Sequence, residues 1–166
     1  MNNTRNKRSN FKNEIIPIGV GGLDLTLQSI VSIIYDYAKS IQDLSLKLKG
    51  STLLETSSNI WRFLKLNTTY KQDKFNFEEL RTPRRLIYDK IGDCDDYSIF
   101  TASVLLNLKY NPVLDIVAFN NKPNYGHIFV TIDNIIVDAV MDKFNVIPPN
   151  ITKTKKINLY YESINA

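Results

Sequence analysis

Gly92-Asp93-Cys94-Asp95-Asp96-Tyr97-Ser98 is the stretch on which the fold turns. Asp93 followed three residues later by Asp96 has the spacing of a capping pair at the N-cap and N3 positions. Tyr97, Phe100, Thr101, Val104, Leu105 and Leu108 follow at helical spacing and make one broad face. The pattern predicts a buried helix over 93–108. Cys94 then stands on its first turn, where unpaired backbone N–H groups and the helix dipole favour a thiolate. The same N–H groups, that of Cys94 included, could hold a developing oxyanion. Asp93, Asp95 and Asp96 act the other way. Pointed at the sulfur they raise the thiol pKa, and a protonated histidine nearby would offset them.

Downstream of Pro112 the period changes to that of strands, over 113–119, 127–132 and 135–140. Asp133-Asn134 is a two-residue hairpin turn, which sets Ile132 opposite Ile135. Counting back places Phe129 opposite Asp138 and His127 opposite Val140. His127 and Asp138 become diagonal neighbours on one face, within reach of a hydrogen bond. Phe129, Thr131, Ile136 and Val140 complete that face and are expected to pack on the helix. A slip of one residue would send Asp138 to the other side. The chain has one Cys and one His. A nucleophile, a base and an orienting acid is the set that thiol acyl transfer requires.

Upstream, Leu27, Ile30, Ile34, Tyr37, Ile41, Leu44 and Leu48 alternate in steps of three and four. This heptad seam predicts one long helix over 24–50, about 36 Å at 1.5 Å per residue, closed by Gly50. The seam can pack along its own domain or against another subunit. A second helix is expected over 53–66, burying Leu53, Leu54, Ile60, Trp61 and Leu64. Residues 68–90 read as loop, with Pro83 discouraging helix just before it. The organisation is a flexible basic arm and loop over 1–23, the helix over 24–50, and a domain over 51–166. Helices first and an antiparallel sheet after them define the α+β class.

The full chain has 166 residues, 43% hydrophobic and 23% charged, enough for one domain with a real core. Its formal charge of +4 gathers at Arg5, Lys7, Arg8 and Lys12 and at Lys153, Lys155 and Lys156. No aromatic interleaving accompanies the basic residues, so a solvated tail is expected rather than nucleic-acid binding. A lone Cys makes no internal disulfide. The run 15–20 is too short for a signal peptide, and no apolar run approaches a membrane span, so a cytoplasmic protein is expected. Asp89, Asp93, Asp95 and Asp96 lack the spacing of a calcium loop, and zinc would want more Cys or His. Neither a metal nor a cofactor is expected.

The Gly92–Ser98 block, with His127 opening a strand and Asp138 in the next, resembles the transglutaminase-like superfamily of the papain-like cysteine-enzyme fold. Trp61, Tyr70, Asp73 and Arg81-Thr82-Pro83 are similar to that family's approach to the Cys helix. The resemblance covers 55–140. It implies a Cys helix packed on an antiparallel sheet, with Cys94 as nucleophile, His127 as base and acid, Asp138 as orienting carboxylate, and Trp61 as support for the oxyanion. Hydrolysis of a peptide or carboxamide bond in a protein or peptide is the expected chemistry, with transfer to an amine as its variant. The helix after Gly21-Gly22 joined to this core also resembles small transglutaminase-like proteins of tailed bacteriophages. That likeness implies an alternative role as a virion component, with neighbouring subunits meeting the 24–50 seam.

Overall fold

Every residue from Asp96 to Leu106 is buried in the helix Cys94–Asn107, which makes it the axis of the molecule in the computed structural model. The structure describes residues 12–17, 22–74 and 77–165. The expected basic arm with Arg5, Lys7 and Arg8, the loop glycines Gly19 and Gly21, and Phe75 lie outside the described residues. In chain order the elements are β1 (Asn13–Pro17), α1 (Gly22–Tyr37), a 3-10 turn (Ala38–Ile41), α2 (Gln42–Leu48) and α3 (Leu53–Asn67). There follow β2 (Thr69–Tyr70), β3 (Phe77–Arg81), α4 (Pro83–Asp89), β4 (Ile91–Gly92) and α5 (Cys94–Asn107). The strands β5 (Val113–Phe119), β6 (His127–Ile132), β7 (Ile135–Val137) and β8 (Ile151–Asn158) precede a last 3-10 turn, Tyr161–Asn165.

Helix α5 is covered on all sides and carries apolar residues around its circumference, with Asp96, Ser98, Thr101 and Ser103 buried among them. Helices α1 to α4 surround it on one side. On the other lies the antiparallel sheet β7-β6-β5-β8. Ile128, Val130 and Ile132 of β6, with Leu114 and Ile116 of β5, join the helices in one core cluster. The hairpin turn has positive φ at both Asp133 (45°) and Asn134 (65°), the mirror-image geometry such turns prefer. It pairs Ile132 with Ile135 and Val130 with Val137, in the expected register.

Several expectations need correction. The helix over 24–50 is broken at residues 38–41. Asn107 Nδ2, at the end of α5, donates to the Ala38 carbonyl (2.7 Å) and to Ser45 Oγ (3.0 Å), so a tertiary partner holds the tighter turn in place. The seam itself is interior. Leu27, Ile30, Ile34, Ile41 and Leu48 are all buried within this chain, which withdraws them as a contact for neighbouring subunits. Residues 12–17 are not arm, and 68–90 is not loop. Strand β1 pairs antiparallel with β3 from Asn13 opposite Arg81 to Pro17 opposite Phe77. Pro83 opens α4 at its first turn, capped by Thr82. Finally, the sheet face bearing His127 is not the face on α5. Val117 opposite His127 and Asp115 opposite Phe129 share that outer face. The wholly apolar alternate set, Ile128, Val130 and Ile132, meets the apolar helix instead. Leu54 likewise points outward, at 51% exposure. Among the described residues no helix is long and apolar enough to cross a membrane.

Candidate active site

Asp93 caps α5 as the sequence predicts. Its carboxylate accepts from the N–H groups of Asp95 (3.1 Å) and Asp96 (3.4 Å), and Asp96 Oδ2 accepts from the Asp93 N–H (3.2 Å). Asp96 has a second task. It is fully buried and takes both the backbone N–H of Arg81 (2.7 Å) and its guanidinium (2.9 Å). Arg81 also meets Asp89 (3.1 Å) and Glu79 (3.3 Å). The start of the Cys helix is therefore bolted to β3 and α4. Gly92 lies in this joint without room for a side chain: an added Cβ would come within 2.6 Å of Leu86 Cδ1 and 3.0 Å of Asp96 Cβ.

Cys94 is half-buried on the first turn and lines a cavity of about 780 Å³. His127 lines the same cavity, with Tyr70, Glu78, Asp95 and Tyr125. The sulfur itself lies 3.8 Å from Asp95 Oδ1. Burial pushes the thiol pKa well above its usual range, Asp95 and Asp93 push it further, and the backbone of Ile128 opposes them. At this helix terminus burial and the neighbouring acids work against the dipole. The resting sulfur is a thiol.

His127 Nε2 lies 2.6 Å from Asp138 Oδ2. The diagonal relation read from the hairpin is realised, although β7 ends at Val137 and Asp138 already begins a turn. Asp138 is buried, its Oδ1 accepts from the Val140 N–H (3.0 Å), and its carbonyl accepts from the Met141 N–H (3.2 Å). The imidazole is held between Phe119 and Phe129, with centroids 6.1 and 5.8 Å away. With Nε2 engaged, Nδ1 is the ring atom left for other partners.

Trp61 is elsewhere. Its indole N–H donates to the carbonyl of Asp138 (3.0 Å), and its ring packs near Phe144. The side chain is not part of the cavity wall, and its one N–H is already given away. Support of an oxyanion by Trp61 is thereby corrected to support of the acid loop. Sequence spacing could not show this, since the two residues are 77 positions apart.

Three carboxylates that the sequence did not bring together, Asp73, Glu78 and Asp93, each place an oxygen within 4.8 Å of the others. Burial, reinforced by Asp96 and Asp73, pushes Asp93 up to about 8. Asp73 and Glu78 are raised as well, chiefly by burial. Asp95 lies well above the carboxylate range, through burial and then Asp93 and Glu78. The wall beside the sulfur thus stays partly protonated near neutral pH.

A helix that starts with a half-buried cysteine, laid on an antiparallel sheet whose His127 meets an Asp in the turn after the next strand, is the architecture of papain-like and transglutaminase-like proteins. The chain belongs to the transglutaminase-like domain family, which matches it over residues 39–154. It is 31% identical over 110 residues to the UPF0252 protein MJ1282 of Methanocaldococcus jannaschii, covering 58% of this chain and 31% of that protein. Identity to the UPF0252 protein PF1496 of Pyrococcus furiosus is 30% over 91 residues, covering 54% and 26%. The chain therefore spans under a third of the length of these curated relatives. Its fold is similar to the crystal structure of a candidate cysteine protease from Cytophaga hutchinsonii. The TM-score is 0.52 at 18% identity, covering 87% of this chain and 53% of the other.

Proposed function

We propose that this protein is a thiol acyl-transfer enzyme with Cys94 as nucleophile, His127 as general base and acid, and Asp138 as the orienting carboxylate. The observation that carries the reading is the 2.6 Å contact of His127 Nε2 with buried Asp138, made by a histidine that shares its cavity with Cys94. Asp138 fixes the ring and stabilises the imidazolium, which leaves Nδ1 to take the thiol proton. Because the resting sulfur is protonated, proton transfer accompanies attack rather than preceding it. Sulfur adds to a peptide or carboxamide carbonyl, the C–N bond breaks, and the amine leaves with the proton held by His127. A thioester remains, and water attacks it to release the acid and the thiol. An amine in place of water gives the transfer product. A cavity of about 780 Å³ suits a segment of a protein or peptide substrate.

The structural alternative, a phage-particle component using the 24–50 seam, loses that surface because the seam is buried in the chain's own core. The enzyme reading is tested by following iodoacetamide alkylation of Cys94 against pH. Wild type is expected to react at neutral pH at least about tenfold faster than His127→Ala, with both converging once the thiol ionises without help. Equal rates at neutral pH would remove His127 as the base.

A further inference from the structure

We infer that Tyr70 is a catalytic residue of this site, its hydroxyl donating a hydrogen bond to the oxyanion formed when Cys94 attacks a carbonyl. The inference rests on the acyl-transfer reading and assigns a residue which that reading leaves open. Stabilising a tetrahedral oxyanion takes donors already aimed at its oxygen. The start of α5 offers one. Asp93 Oδ1 takes the N–H groups of Asp95 and Asp96, and the Asp93 carbonyl takes that of Tyr97. Among the described residues no protein acceptor takes the N–H of Cys94, so it is available to a bound carbonyl oxygen. The indole N–H of Trp61 is held by Asp138, so a second donor has to come from the cavity wall.

Tyr70 is placed for this by both its backbone and its ring. Strand β2 runs parallel to β4 with Tyr70 opposite Gly92, and the Lys71 N–H donates to the Gly92 carbonyl at 2.9 Å. The main chain of Tyr70 is thereby fixed two residues ahead of the nucleophile. Its ring meets the Tyr97 ring edge-on, with centroids 6.3 Å apart at 68°. Cys94 and Tyr97 are three residues apart on α5 and share one face of it. A ring resting on Tyr97 therefore lies beside the sulfur, and Tyr70 and Cys94 line the same cavity. Tyr97 is itself anchored, its hydroxyl 2.9 Å from Thr68 Oγ1. The Tyr70 hydroxyl has no protein partner among the described residues, and the side chain is 46% exposed, open to an incoming group. Burial of the ring, then the charges of Cys94, Asp93 and Asp95, push its pKa up to about 12. The phenol is thus a donor throughout the range in which the enzyme works. Gln72 and Asn124 also line the cavity, but among the described residues no contact ties either to the α5 face that carries Cys94.

The test separates oxyanion support from simple packing. Acylation of Cys94 by p-nitrophenyl acetate forms a thioester and expels p-nitrophenolate, passing through the oxyanion. Alkylation by iodoacetamide displaces iodide at a saturated carbon and passes through none. Tyr70→Phe keeps the ring on Tyr97, and is expected to slow acylation by about tenfold to a thousandfold while alkylation keeps its rate and pH profile. Unchanged acylation in a variant of an active wild type would overturn the role of Tyr70 alone. An equal loss in both reactions would overturn it too, showing that Tyr70 only shapes the helix terminus. No acylation in wild type beyond the level of Cys94→Ser would sink the acyl-transfer reading and this inference with it.

Discussion

At the scale of single residues, what distinguishes this site is a cysteine placed among acids. Asp93 shows how far the environment controls its own chemistry. Its carboxyl caps α5, yet burial and the neighbouring Asp96 and Asp73 raise its pKa to about 8. In the unfolded chain an aspartate titrates near 3.9. Between those values the folded protein holds a proton that the unfolded chain has released, so stability falls as pH rises from about 4 to about 8. Asp96, pushed up to about 7 by burial against the pull of Arg81, adds to the same slope. Asn accepts the capping hydrogen bonds as well as Asp does. Asp93→Asn should therefore keep the cap while flattening the pH dependence, and thermal melts at about pH 5 and about pH 9 would read it. The expected gain at the higher pH is on the order of 1–3 kcal/mol. A slope identical to wild type would mean that Asp93 ionises freely in the folded state.

At the scale of elements, the difference between local and distant constraints decides what could be read from the chain. Asp93 and Asp96 cap α5 from within a single turn, and Asp133-Asn134 sets the hairpin from within two residues. Both were legible, and with them the meeting of His127 and Asp138. Strands β2 and β4 have two residues each, too short for any period, and they exist only because Thr69 finds Ile91 and Tyr70 finds Gly92. The break at Ala38–Ile41 depends on Asn107, and the true duty of Trp61 depends on Asp138; neither partner is near in sequence. Strand β7 ends early for a local reason, the turn Asp138 makes with Val140 and Met141, which competes with pairing. Gly92 belongs to both kinds. It is visible in the motif, but its reason lies across the joint of β4, α4 and α5. Gly92→Ala sets a methyl group against Leu86 and Asp96, and a loss of about 1–3 kcal/mol is expected in urea unfolding. Because the displaced atoms belong to the clamp on Asp96, the rate of Cys94 alkylation should change as well. A variant as stable and as reactive as wild type would show that this joint has slack.

At the scale of the molecule, one core serves both parts of the chain, so the N-terminal helices are structural members of the body that carries the candidate site. The family match begins at residue 39, after α1, but Ile30, Ile33 and Ile34 of α1 are within 1% of complete burial and join the same cluster as Phe100, Leu105 and Leu106. Leu27 and Ile30 also form part of the wall of the cavity that holds Cys94 and His127. Helix α1 thus has two faces of consequence along one stripe, with its middle packed on α5 and its start bordering the site. A heptad seam used between subunits and one used inside a domain respond differently to the same change. Ile34→Asp would bury a carboxylate in the hydrophobic core cluster, at a cost of several kcal/mol. If the seam is interior, the variant should unfold as a monomer, losing at least about 3 kcal/mol in denaturant titration together with Cys94 reactivity. Were the seam an interface, the same substitution would instead split an assembly into folded, reactive protomers. Light scattering combined with alkylation distinguishes the two, and folded, reactive Ile34→Asp protomers would separate α1 from the body that positions Cys94.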